Sequence, residues 1–321
     1  MTERREQAGF TLIELMISLV LFSFAVAGVL AVAVSMTQGF REQRQAAATE
    51  TSARVPVDFL TDVLRQAAPG VSDPTLIQDS ITCAIGGITV YNGSGTNSSD
   101  VLDVVYALGG VVTTTQTAYT GGASLDVSDA SQLAVNDYIL VSNLTQGHLF
   151  KIASKSANSL TLVTPCAITL PAAGYPQGSL VVRAQHAMFS IGTVDGNPAL
   201  MMDPDSTATA NAAEPLADGV EDLQVALGID QGVDGVSEVG TAPGDDEWIY
   251  NAAGETLPAS GTWRAVRLSL VARTSTQLNA GMGATLFNRP QLEDHAAGTA
   301  DAYRRRVLRT IVEIRNTGVS P

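Results

Sequence analysis

The sequence predicts an α+β fold. One long N-terminal helix, membrane-spanning in its first half, packs by its second half on an antiparallel β-sheet that carries a β-rich insertion. Three observations predict it. Residues 10–36 are apolar almost throughout, a helical period of three and four continues from there to about residue 68, and beyond Pro69-Gly70 the chain turns to short alternating runs. Composition agrees, since charged residues are 16% and aromatics 5% while Gly reaches 29. That balance favours strands and turns over a helical bundle.

Between Phe10 and Met36 the polar exceptions are Thr11, Glu14, Ser18, Ser23 and Ser35. About 27 helical residues reach roughly 40 Å, more than the ~30 Å hydrocarbon core of a bilayer. Arg4 and Arg5 precede this run as in the basic region of a secretory signal, but no small-x-small cleavage site follows it. Gln38, Arg41, Glu42, Arg44 and Gln45 come instead, and none of them stops a helix. Ala53, Val57, Leu60, Leu64 and Ala67 then recur at helical spacing, with Asp58, Asp62 and Arg65 on other faces. Pro56 interrupts this stripe and is expected to kink or loosen the helix. Periodicity alone admits an ordinary signal anchor with a helical stalk. Glu14 is harder to place, because an unpaired carboxylate in a bilayer is costly and calls for a cation at similar depth.

After residue 69 the alternation marks strands with one buried face. Leu223, Val225, Leu227 and Ile229 share a face, as do Val266, Leu268 and Leu270, and as do Leu308, Thr310, Val312 and Ile314. The amphipathic half of the helix needs such a sheet face to cover. Residues 109–182 differ in texture, being Thr- and Gly-rich with turn signals at Gly121-Gly122, Asn136-Asp137 and Ala157-Asn158. They read as a small β-rich module built into the main sheet. Cys83 and Cys166 sit in neither a CxxC nor a His-flanked context, which argues against zinc. In an exported domain they would form one disulfide contributing on the order of 4 kcal/mol, and in a cytosolic one they would be two buried thiols.

The stretch GFTLIELMISLVLFSFAVAGVL resembles the class III signal of type IV prepilins and type II secretion pseudopilins. The resemblance implies a leader over 1–9, cleavage by a prepilin peptidase between Gly9 and Phe10, and methylation of the new Phe10 amine. It divides the rest into a transmembrane half (10–38), an amphipathic half (39–68) and a head (69–321), a pilin fold. Glu14 would then meet the α-amine of a neighbouring subunit. Set against this, Glu14 could sit at headgroup level, facing the positive end of its own helix dipole.

Further on, LADGVEDLQVALGID, WRAVRLSLVAR and YRRRVLRTIVEIRN resemble, in order, blocks of PilW-type minor pilins. Both cysteines fall before residue 170, and no proline kinks the apolar half, so major subunits fit less well. The implied role is priming of pilus assembly and a place near the pilus tip. The implied partners are other minor pilins, the major pilin, the prepilin peptidase and the inner-membrane assembly machinery. The chain would be a single-pass inner-membrane protein with a periplasmic head before assembly. A J-type pseudopilin of type II secretion, or a tip adhesin binding through residues 109–182, are the alternatives.

A net charge of −14 argues against nucleic acid as a partner. No Walker loop, GxSxG, HExxH or paired CxxC is present, and His148, His186 and His295 are scattered, so no catalytic residue and no enzymatic activity are expected. The one metal candidate is calcium in an acidic loop holding Asp230, Asp234, Glu238, Asp245, Asp246 and Glu247. PilW-like relatives often carry a DxDGDG pattern there. Gln231-Gly232-Val233 replaces it here, and a solvated acidic hairpin is the favoured reading. Three N-x-S/T triplets, at Asn92, Asn97 and Asn143, mark polar loops.

Overall fold

The computed structural model describes residues 11–206, 213–232, 235–236, 247–277 and 286–314. The chain forms two compact units, Met1–Ala48 and Thr49–Pro321. Helix α1 (Leu12–Arg65) is continuous in its assignment and contains Pro56. In its first unit, the apolar side chains stand outward, with Leu12, Phe22 and Phe24 each at least 70% exposed. By length and composition the helix can cross a membrane.

In chain order the strands of the larger sheet are β1 (Ile77–Asp79), β2 (Ile88–Tyr91), β3 (Val101–Thr114), β4 (Ser124–Asp126) and β5 (Tyr138–Ser142). They continue with β6 (Gly147–Ser156), β7 (Ser159–Val163), β8 (Leu180–Val194), β9 (Asn197–Asp203) and β10 (Glu214–Asp218). A second sheet holds β11 (Val220–Asp230), β12 (Trp248–Ile249), β13 (Thr262–Arg273) and β16 (Arg305–Glu313), and β14 (Phe287–Asn288) pairs with β15 (Ala300–Asp301). All pairings are antiparallel except the short β1–β6 ladder.

The stripe read from the sequence is the stripe that packs. Val57, Leu60, Leu64 and Ala67 join a core with Leu102 and Val104 of β3, Phe189 of β8, and Val225, Leu227, Val266, Leu268 and Val312 of the second sheet. Burying each large aliphatic side chain contributes roughly 1.5–3 kcal/mol, which anchors this part of α1 without help from propensity. The helix ends at Arg65, three residues before the expected stop at 68. The reason is backbone pairing: Ala68 N–H donates to Val105 O, and Ala107 N–H donates to Gln66 O. The helix terminus is thereby stitched to β3.

Residues between 119 and 181 enclose a core of their own, built from Tyr119, Leu125, Val127, Ile139, Phe150, Leu160, Tyr175 and Val181. Strand β8 serves both cores. Along one edge it pairs with β3 from Leu180 to Phe189, and along the other it pairs first with β5 through Ala184 and then with β9 from Met188. The β3–β8 register slips between Ala107 and Val112, where Gly109 and Gly110 take φ of +68° and +66°. Such a bulge bends the ladder from one core to the next.

The alternation in β11 and β13 led to an expectation of half-buried strands, and here the structure differs. Both are buried on both faces, because Arg289, Glu293 and His295 lie across one end of the outer one while Trp248 and Val236 pack on Ala226 and Ala265 at the other. The polar side chains of that face are paired under the cover. Asp222 holds Arg289 at 2.6 Å, and Glu293 holds Arg267 at 2.7 Å and Ser269 at 2.8 Å. Among the described strands of this sheet β16, at the edge, keeps an exposed face.

Removing side chain from Leu64 should destabilise the head by about 2–5 kcal/mol, since a fully buried leucine leaves a cavity. Val55→Ala, on the 59% exposed side of the same helix, should change stability by no more than about 0.5 kcal/mol. Denaturant melts of the full chain in detergent check this. Equal effects at the two positions would show that the helix does not pack as described.

Candidate functional site

The first turn of α1 places Glu14 in a reciprocal cap. Thr11 is the N-cap, and its hydroxyl oxygen accepts the Glu14 N–H at 3.3 Å. In return the Glu14 carboxylate accepts the Thr11 N–H at 3.1 Å and the Thr11 hydroxyl at 3.0 Å. Thr-x-x-Glu is a capping box, a sequence signal open to reading from Thr11-Leu12-Ile13-Glu14 and missed in favour of the charge alone. Both side-chain contacts fall on Oε2. Gly9 and Phe10 lie outside the described residues. Three further hydroxyls of the apolar half bond back into the helix: Ser18 donates to Leu15 O, Ser23 to Leu19 O and Thr37 to Ala33 O. Hydroxyls bonded back into the helix can enter lipid without an unpaired group.

Cys83 and Cys166 form a disulfide across a sequence separation of 83, with Cα atoms 5.4 Å apart. The flanking backbone is fixed as well, since Cys83 N–H donates to Asp79 O and Cys166 N–H to Ser80 O. The bridge ties the segment after the helix to the end of the 119–181 core region. The alternative of two thiols is thereby closed.

Of the acidic-loop residues, Asp234, Glu238, Asp245 and Asp246 lie outside the described residues. Asp230 ends β11 with its carboxylate engaged: Oδ2 accepts Arg264 Nη2 at 2.8 Å and Nε at 3.0 Å, and Oδ1 accepts the Gly232 N–H. Glu247 accepts the Gln231 N–H at 2.7 Å. Among the described residues no group of three or more His, Cys, Asp or Glu is placed to hold a metal ion.

A buried ionic cluster was not read from the sequence. His186 of β8 lies between two carboxylates, with Nδ1 2.8 Å from Asp79 and Nε2 2.6 Å from Asp103 of β3. All three side chains are at most 5% exposed. Burial by itself lowers the imidazole's proton affinity, but hydrogen bonds and charge from Asp103 and Asp79 outweigh it and raise the pKa to about 9. Burial pushes the Asp79 carboxyl up, and the bonds from His186, Thr82 and Ile81 more than reverse it, so its pKa is lowered. The available signal was a histidine inside an apolar strand. Its partners sit 107 and 83 residues upstream, beyond any local pattern.

Residues 188–316 match the family model described as Type IV Pilus-assembly protein W, and residues 4–30 match the Prokaryotic N-terminal methylation motif. The first match runs from β8 through β16, and the second reaches into the apolar half of α1. No curated protein and no solved structure matches the chain.

Because the folded state binds the His186 proton more tightly than the unfolded chain, its contribution is complete below about pH 6.5 and lost as pH rises through about 9. Melting of the full chain should therefore decline across that window, by up to a few kcal/mol at ~1.4 kcal/mol per tenfold change in proton affinity. His186→Gln should flatten the decline. A wild-type profile that is level from pH 6.5 to 9 would contradict the buried charge. Separately, reducing or replacing the Cys83–Cys166 bridge should lower stability by about 4 kcal/mol, read from the same melts.

Proposed function

We infer from the two family matches, which support a type IV minor pilin of the PilW type, that the chain is a non-enzymatic filament subunit that helps prime pilus assembly and remains near the tip. Prepilin peptidase cleaves between Gly9 and Phe10 and methylates the Phe10 amine. The apolar half of α1 then holds the subunit in the inner membrane, with the head in the periplasm. The disulfide supports an oxidising compartment for that head. Assembly transfers the exposed apolar face of α1 from lipid to the helices of other minor pilins and the major pilin. Their contacts are heterologous, head to tail, and extend as a helix of subunits.

The observation that carries this reading is Glu14, a carboxylate one turn into a helix whose next 22 residues, to Met36, are exposed and otherwise uncharged. Thr11 occupies Oε2, and among the described residues Oε1 takes no hydrogen bond, which leaves it for the methylated amine of a neighbour at the same depth. The cap and the charge are separable, because glutamine at the third helical position also closes a capping box. Glu14→Gln should keep the helix start and export yet reduce surface pili by about tenfold or more, the consequence of losing at least ~1.4 kcal/mol per docking step. Glu14→Ala, which removes the cap as well, should reduce pili at least as much. Pili counted by microscopy at wild-type numbers in Glu14→Gln would show that the helix cap, not charge pairing, is what the residue supplies.

A further inference from the structure

Strand β16 is the outer strand of the second sheet and, among the described strands, pairs with β13 alone. Thr274 N–H donates to Arg304 O, and Ile314 N–H donates to Arg264 O. The β13–β16 register between these two bonds is unbroken, so the even-numbered residues turn their backbone groups to β13. Arg305, Val307, Arg309, Ile311 and Glu313 therefore turn their N–H and C=O groups outward, away from the sheet.

Natural sheets guard such an edge by brevity, a bulge, proline or outward charge. The other terminal strands follow that rule. Strand β12 has two residues, β4 three and β2 four, and β10 carries Pro215 beside a register shift. Strand β16 has nine residues, no proline and no bulge. Charge guards it weakly, because two of its arginines turn back into the sheet. Arg305 holds Glu221 and Asp301, and Arg309 holds Glu293 and Ser269. Between Arg309 and Glu313 stands Ile311, opposite Arg267 and 55% exposed. A long, flat edge with an exposed β-branched residue is a template for one more strand.

We propose, on the filament reading of this chain, that the β16 edge receives an extended, acidic segment of a neighbouring subunit as an added strand. Charge selects the occupant. Residues 304–315 hold five arginines against one carboxylate, Glu313, in a chain whose net charge is −14. Arg306 is exposed and makes no ion pair among the described residues. The added strand places a carboxylate beside Arg306 and an apolar side chain beside Ile311, the cross-strand pairs that stabilise a ladder. Backbone hydrogen bonds supply affinity, and these side chains choose the partner. A second copy pairing through its own β16 would bring two basic segments together, which disfavours it.

The test uses the full-length chain in filament-bearing cells, with Ile311→p-benzoylphenylalanine as a photo-crosslinker and the joined peptides mapped by mass spectrometry. The crosslink should fall on another filament subunit, within an extended segment that carries Asp or Glu at alternate positions. Glu313→Pro removes an outward N–H and leaves the β13 ladder intact, so it should cut the crosslink by about tenfold or more. Arg306→Glu should also weaken it severalfold, without touching any ladder bond, and decides the matter should Glu313→Pro melt below wild type. No crosslink at Ile311, or one unchanged in both variants, overturns the added strand. A crosslink to a second copy or to lipid overturns the proposed occupant. Either result leaves the role of Glu14 in pilus number untouched, whereas a crosslinked acidic strand from a protein outside any filament contradicts the filament reading and keeps the docked strand.

Discussion

One helix has to satisfy two solvents, and most features of the chain follow from that constraint. Over its first half α1 presents leucine, valine, isoleucine and phenylalanine on every side, with no core to receive them. Towards its end at Arg65 the same helix narrows to a stripe through Ala53, Val57, Leu60 and Leu64, continued by Ala67 just beyond it, each at most 8% exposed. Thr11, Glu14, Ser18, Ser23 and Thr37, polar residues admitted to the apolar half, are bonded back into the helix. Glu14 is the single charge there, and it too is tied to the first turn.

The head answers the stripe with two sheets and a third layer of loops. The helix terminus is bonded to β3 rather than left to a solvent-exposed cap, which shortens it and fixes its position on the sheet. Strand β8 then links this core to a second one, through a bulge at Gly109-Gly110 that no apolar residue could occupy without strain. His186 sits on that shared strand, joined to Asp79 before the disulfide loop and to Asp103 on β3. The cluster and the Cys83–Cys166 bridge together lock the start of the head to the 119–181 region.

What could be read from the residues was whatever repeats locally. The spacing from Ala53 to Ala67 and the alternation in Leu223–Ile229, Val266–Leu270 and Leu308–Ile314 are signatures of a side chain's own element, and they gave the core faces. The capping box at Thr11–Glu14 was equally local and was overlooked. By contrast, the burial of both faces of β11 and β13 depends on Arg289, Glu293 and His295, which return to cover one end from far along the chain, and on Trp248 and Val236 at the other. The same is true of the partners of His186. Charges inside strands mark positions of this kind, but only the tertiary fold supplies their counterparts.

The central claim is that the apolar helix is retained, beginning at a new amine beside Glu14, rather than removed as a signal. Intact mass of the chain recovered from membranes and from sheared filaments tests it most directly. The account predicts a chain that starts at Phe10 and carries one additional methyl group on its N-terminus. A chain starting beyond Met36, or one that retains Met1–Gly9 in assembled filaments, would contradict it.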